Sequence, residues 1–246
     1  MLSYRKNFSK LIKNIRFFQS TDDIYKRILN NEDKDYYHNM YCEFLKYKPH
    51  TLKYLPICMN SEKSYKCAIA SDGQNLKYLT KLSDMNELSR LAVLQNGSAL
   101  KFVPIKLRDL DLCMVAVKQN GLALEFVPKE LVTDGMCCLA VENNGLALKF
   151  VPKEYFSNKL FLKALDNNPW ALKYIPDIFK TYDLCFEIVK KNAHTLCLVP
   201  YNFRTKEMCY YAVSTNAWLI NDVPKNLLSD ELYTIVYRYH YVNTRF

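Results

Sequence analysis

The sequence predicts an all-α fold, an α-solenoid of about eight stacked short helical hairpins with a 24-residue repeat. Three observations carry that expectation. The decamer NGLALEFVPK at 120–129 recurs as NGLALKFVPK at 144–153, with only Glu125 changed to Lys149. The same register runs through Leu55-Pro56, Leu79-Thr80, Val103-Pro104, Val127-Pro128, Val151-Pro152, Ile175-Pro176, Val199-Pro200 and Val223-Pro224 without an insertion. Of the nine prolines, seven fall in that column, and the other two, Pro49 and Pro169, share a second column with Gly73, Gly97, Gly121 and Gly145. A fixed period of this length is the mark of a repeat architecture.

The second column locates one helix. Proline fixes φ near −65°, so a site that takes Pro, Gly or Ala does not demand a left-handed backbone; it fits the first turn of a helix, where a missing N–H costs nothing. The residue before it is Asp72, Asn96, Asn120, Asn144, Asn168, Asn192 or Asn216, and Asn and Asp are strong N-caps. A short helix is therefore predicted from about Gly121 to Phe126, ending at Val127 because a residue before proline avoids helical ψ.

The other half of the repeat is capped too. Five residues after each proline position stand Ser61, Met85, Asp109, Thr133, Ser157, Thr181, Thr205 and Ser229. Two residues further on, Glu87, Asp111, Asp183, Glu207 and Glu231 place carboxylates where the helix dipole favours them. A helix of about ten residues follows, such as Leu110–Gln119, with Leu112, Cys113, Ala116 and Val117 on one stripe. Helices this short are marginal alone in water and must be stabilised by stacking on their neighbours. The column Ala68, Ala92, Ala116, Ala140, Ala164, Ile188 and Ala212 fits close approach at that seam.

Composition narrows the class. Half of the 246 residues are hydrophobic and the net charge is +9, which suits a packed core and not a disordered chain. No apolar run reaches the roughly 18 residues of a membrane span, and residues 1–19 lack the apolar stretch of a secretory signal. Cys113, Cys137, Cys185 and Cys209 share one position with Tyr65 and Phe161. That slot reads as apolar, so the cysteines are expected to be small, buried, unpaired and metal-free. No phosphate loop, zinc motif or nucleophile elbow occurs; no cofactor and no catalytic residue is expected.

The stretches LAVLQNGSALKFVP, MVAVKQNGLALEFVPKEL and LAVENNGLALKFVPKEY resemble a family of two-dozen-residue helical repeats of unknown function, found in bacteria, protists and, in quantity, giant DNA viruses. The resemblance covers about 33–229 and is strongest over 88–176; Thr80 and Asp222 depart from its pattern. The Asn-, Lys- and Tyr-rich composition is similar to that of mimivirus-type proteins. The resemblance implies no catalytic activity. It implies a virus-encoded interaction module of the host cytoplasm or viral factory, with the virion as a further location.

Two features could carry function. Three residues before the proline position stand Lys53, Lys77, Lys101, Glu125, Lys149 and Lys173, then Cys197 and Asn221. Stacked, the lysines form a ridge with steps of roughly 10 Å, either a solvated face or a binding face for an acidic protein or a phosphate backbone. The arm 1–19 holds Arg5, Lys6, Lys10, Lys13 and Arg16 without an acid, and Phe8, Leu11, Ile12 and Ile15 recur at helical spacing. This basic amphipathic segment reads as a cap of the solenoid or as a contact for nucleic acid or an anionic membrane. The expected layout is a basic helical cap at 1–32, a repeat solenoid at 33–229 and a capping helix at 230–246 bearing Tyr233, Tyr237 and Tyr241. The expected function is a non-enzymatic scaffold for protein partners, monomeric or weakly self-associating. The alternative is an RNA-associated scaffold for viral transcription or translation machinery.

Overall fold

The computed structural model describes residues 39, 42–43, 45–46, 49–54, 61–79 and 85–243. The basic arm with Arg5, Lys6, Lys10, Lys13 and Arg16 lies outside the described residues. From residue 61 on, the described residues form, in order, the α-helices α1 (Glu62–Ser71), α2 (Met85–Gln95), α3 (Leu110–Gln119), α4 (Asp134–Asn143), α5 (Asn158–Asn167), α6 (Tyr182–Lys191), α7 (Lys206–Thr215) and α8 (Asp230–Asn243). Among the described residues there is no strand. The chain divides into two compact units, one up to Gln95 and one from Asn96. The first contains α1, α2 and the 3-10 helices Pro49–Tyr54 and Gly73–Tyr78. The second, with α3 to α8, is an all-α repeat stack.

Each repeat of the second unit has three helical pieces. The ten-residue α-helix is followed by a six-residue 3-10 helix, Gly121–Phe126 after α3, and by a three-residue 3-10 turn after the proline, Lys129–Leu131 in that repeat. The six-residue piece is tighter than an α-helix because its bonds run three residues back, from Ala123 N–H to the Asn120 carbonyl (2.8 Å) and from Val127 N–H to the Leu124 carbonyl (3.2 Å). Short 3-10 runs of this kind tolerate the poorer bond geometry only when packing holds them. The post-proline turn carries no periodic apolar signal and is not foreseen by the sequence pattern. Its chain-reversing bonds start at the proline itself, whose carbonyl accepts from Leu131 N–H at 2.9 Å.

One asparagine per repeat both ends the α-helix and begins the 3-10 helix. The Asn120 N–H donates to the Ala116 carbonyl (2.9 Å), and its side-chain oxygen accepts from Leu122 N–H (3.1 Å). The same side-chain bond is made by Asp72, Asn96, Asn144, Asn168, Asn192 and Asn216. The α-helix caps also form at Ser61, Asp109, Thr133, Ser157, Thr181 and Thr205. Two positions of that column depart from it. Met85 lies inside α2 as its first residue, and the Ser229 hydroxyl has no partner among the described residues.

The core lies between the α-helices and the 3-10 helices. Leu124, Leu148, Leu172 and Leu196 from the 3-10 side meet Met136, Leu160, Cys137, Phe161, Cys185 and Val189 from the α side, and all are buried. Each fully buried side chain of Leu size contributes about 1.5–3 kcal/mol. The eight described cysteines are free thiols, and desolvation pushes the thiols of Cys113 and Cys185 up to about 11 and that of Cys137 up to about 12.

The glycines mark where repeats touch. A Cβ on Gly97, Gly121 or Gly145 would lie closer than 3.0 Å to the carbonyl oxygen of Ala116, Ala140 or Ala164 in the next repeat. Close approach, not a left-handed backbone, requires glycine there. An amide from the next helix locks the seam. Asn143 accepts from Gly121 N–H (2.8 Å) and donates to the Lys118 carbonyl (3.1 Å); Asn167 accepts from Gly145 N–H (2.7 Å) and donates to the Glu142 carbonyl (2.9 Å). In the first unit, Gln95 does the same for Gly73 N–H (2.6 Å) and the Ser71 carbonyl (3.3 Å). Where the glycine becomes Pro169, no N–H remains to bind, and the facing position becomes Lys191. The amide and its donor disappear together.

Candidate functional site

The side chains left over after folding lie on the 3-10 helices. Residues three apart eclipse in a 3-10 helix, so Leu146 and Lys149 share one face of Gly145–Phe150, while Gly145, Ala147 and Leu148 are buried. Repeated along the second unit, the outer face carries Ser98 with Lys101, Leu122 with Glu125, Leu146 with Lys149, Trp170 with Lys173, His194 with Cys197 and Trp218 with Asn221. Every second member of these pairs is exposed. In the first unit, Lys77 is exposed in the same position of Gly73–Tyr78, and Lys53 belongs to Pro49–Tyr54.

The lysine heads rest on the ring that follows them in sequence. Nζ lies 4.8 Å from the Tyr78 ring centroid for Lys77, 4.7 Å from Phe102 for Lys101 and 5.0 Å from Phe150 for Lys149. Such a contact holds a cation in place while leaving its outer side open. Among the described residues no carboxylate comes within ion-pair distance of Lys77, Lys101, Lys149 or Lys173, and none of these lysines has another charged partner. Lys129 and Lys153, exposed on the post-proline turns, are likewise unpaired.

The α-helices treat their lysines differently. Lys163 pairs with Glu142, Lys191 with Asp166 (2.6 Å), Lys206 with Glu231 (3.0 Å) and Lys190 with Glu187 (2.9 Å). Three of these pairs join consecutive helices, although Lys118 and Lys159 stand outside them. Exposed pairs add little to stability, but they neutralise the α side locally.

Three cations that the sequence pattern did not single out are used inside the stack. Arg204 donates to the carbonyls of Val199 (2.9 Å), Cys197 (3.0 Å) and Asp222 (2.6 Å). Arg108 donates to those of Val103 (2.8 Å), Phe126 (2.5 Å) and Lys101 (3.3 Å), and Lys180 reaches the Leu198 carbonyl (3.4 Å). The two arginines close the C-terminal ends of 3-10 helices from two consecutive repeats, while Lys180 joins the Leu198 carbonyl to the Asp177 carboxylate (2.8 Å). Their column holds Val132, Phe156 and Leu228 elsewhere, so it gives no single chemical signature. Burial depresses the Arg108 guanidinium below its ordinary value, and these groups are not offered to a ligand.

The described residues bring no three His, Cys, Asp or Glu side chains together in a metal-binding group, and none of their helices is long and apolar enough to cross a membrane.

The chain carries three matches to one family model, the Domain of unknown function (DUF4116), over residues 87–132, 136–180 and 158–204. Each stretch is just under two repeats long, and the second and third overlap by about one repeat. A two-repeat pattern sliding along a periodic chain gives this arrangement. The matched residues agree with a repeat domain of unknown function, the coarser part of the resemblance read from the sequence. No curated protein and no solved structure matches the chain.

Proposed function

We propose that the protein is a non-enzymatic helical-repeat scaffold that binds a protein partner along the outer face of its 3-10 helices. The observation that carries this reading is the row Lys101, Lys149 and Lys173, exposed, repeated in register and unpaired, against α-helical lysines that mostly meet carboxylates. A row that served only solubility would have no reason to repeat an exposed, unpaired lysine at the same position of three repeats. The resemblance to repeats abundant in giant DNA viruses supports a virus-encoded protein of the host cytoplasm or viral factory.

A protein partner ranks above RNA because Glu125 sits exposed in the middle of the row, where it repels a continuous phosphate backbone. The test is affinity capture from host-cell extract, with and without nuclease, using wild type and K101Q/K149Q/K173Q. The scaffold reading expects a protein set that survives nuclease and is lost in the variant. Capture that vanishes with nuclease would move the function to RNA.

A further inference from the structure

The outer face of the 3-10 helices is not uniform, and its order has chemical content. Along the second unit one column reads Lys101, Glu125, Lys149, Lys173, Cys197 and Asn221, and the column eclipsed with it ends in Trp170, His194 and Trp218. Glu125 is exposed and, among the described residues, has no cationic partner. Trp170 and Trp218 are 41% and 62% exposed, large values for side chains that dominate interface energetics when covered. His194 is steadied between them by a 3.2 Å contact from its Nε2 to the Asn216 amide nitrogen.

Neighbouring packed helices advance by roughly 8–10 Å. A polyproline-like chain advances about 3.1 Å per residue with three residues per turn, so every third side chain of such a chain returns to the same face about 9 Å further on. We propose that this face docks a polyproline-like protein segment whose side chains run basic, acidic, acidic at three-residue spacing opposite Glu125, Lys149 and Lys173, and then continue as apolar residues opposite Cys197 and Asn221, flanked by Trp170 and Trp218. The proposal rests on the scaffold reading and names the partner's chemistry. Glu125 sets the register: sliding the segment one repeat toward Lys101 places the base against Lys101 and an acid against Glu125, sliding it the other way places the base against Lys149, and like charges juxtaposed across an interface are costly. Beyond Lys173 the row offers no further lysine, so the partner's acidic stretch ends there.

The test uses the full chain and synthetic probes. One fluorescein-labelled peptide carries Lys, Glu, Glu, Leu and Leu at every third position in a Gly-Ser background. A second has the same composition with the Lys placed after the two Glu residues, an order that, read in the same direction, pairs all three charges in no register of the column Lys101, Glu125, Lys149, Lys173, and a labelled oligouridylate serves as the nucleic-acid probe. Fluorescence anisotropy is expected to show the first peptide binding at least about tenfold more tightly than the second. Glu125→Lys, with its helical circular dichroism unchanged, should lose that advantage, and replacing the peptide's Lys by Glu should restore it. Equal binding of the two peptides, no measurable binding of the first, or indifference to Glu125→Lys overturns the pattern. Preferential binding of the oligouridylate that strengthens in Glu125→Lys overturns it in favour of RNA. If K101Q/K149Q/K173Q still abolishes capture of a protein partner while the peptides do not discriminate, the pattern fails and the scaffold reading stands. If the lysines matter to neither experiment, both fail.

Discussion

The α-helices and the 3-10 helices of the second unit share one core but differ in what they leave at the surface. The α side couples consecutive repeats through Lys163 with Glu142, Lys191 with Asp166 and Lys206 with Glu231. The 3-10 side has its backbone satisfied by Asn120, Asn144 and their equivalents from within and leaves Lys101, Lys149 and Lys173 unpaired. Most lysines on the α side meet carboxylates, and those of the 3-10 row do not. The contrast teaches that exposure alone does not mark a docking face in a repeat protein; exposure without a repeat-to-repeat partner does.

The largest effect expected from this contrast comes from a single substitution made on each side. Gly121→Ala puts a Cβ closer than 3.0 Å to the Ala140 carbonyl oxygen, whereas a Cβ at Gly135, within α4, meets nothing within 4 Å. Overpacking at the first site should cost about 1–3 kcal/mol, while Gly135→Ala should stabilise by about 0.4–1 kcal/mol through the unfolded chain and helix propensity. Denaturant unfolding of the two variants measures both, and equal signs would break the comparison.

Next in size is the amide lock. Asn143→Ala removes the acceptor of Gly121 N–H and a donor to the Lys118 carbonyl, and should cost about 1 kcal/mol. Lys191→Ala, at the equivalent position beside Pro169, loses only an exposed ion pair with Asp166, about 0.2–1 kcal/mol. A Lys191→Ala loss exceeding that of Asn143→Ala would contradict the role assigned to the amide.

These features differ in how visible they are in sequence. Leu110–Gln119 is legible because capping, dipole and apolar stripe all act within ten residues, and Gly121–Phe126 is legible as a helix because Asn120 and Pro128 bracket it. Its 3-10 character is not, since tightness is imposed by packing. Asn143 is hidden because its donor, Gly121, lies in the preceding repeat and the position looks like any solvated helix end. Arg108 and Arg204 are hidden because their column alternates with Val132 and Phe156. The Lys101 to Lys173 row is visible as a column, but its lack of carboxylate partners depends on side-chain placement that only the folded stack defines.

Alkaline pH should act on the buried thiols of the α side. Burial raises the thiols of Cys113 and Cys185 to about 11 and of Cys137 to about 12, from the ordinary 9.0. A folded value above the unfolded one means that the stability tied to the neutral thiol is complete below pH 9.0 and is lost as pH rises through the folded values, about 11 to 12. Unfolding midpoints measured across that window should fall, and Cys137→Ala should flatten the slope. A midpoint independent of pH would show that these thiols are not kept neutral by the core. Native thiol labelling should reach exposed Cys197 before buried Cys42, Cys113, Cys137, Cys185 or Cys209.

The smallest stability effects belong to the surface charges. Glu142→Gln should cost less than about 1 kcal/mol, and Lys149→Gln should stay within about 0.5 kcal/mol. Circular dichroism melts of both check this, and a large loss for Lys149→Gln would mean that the lysine serves the fold.

The central claim, that the 3-10 side and not the α side is the docking face, is tested most directly by pairing two triple variants in one quantitative capture experiment. K101Q/K149Q/K173Q removes the unpaired row, and K163Q/K190Q/K191Q removes the same number of positive charges from the α side. Nuclease-resistant protein partners should be lost with the first and retained with the second. Retention with the first, or equal loss with both, would contradict the account.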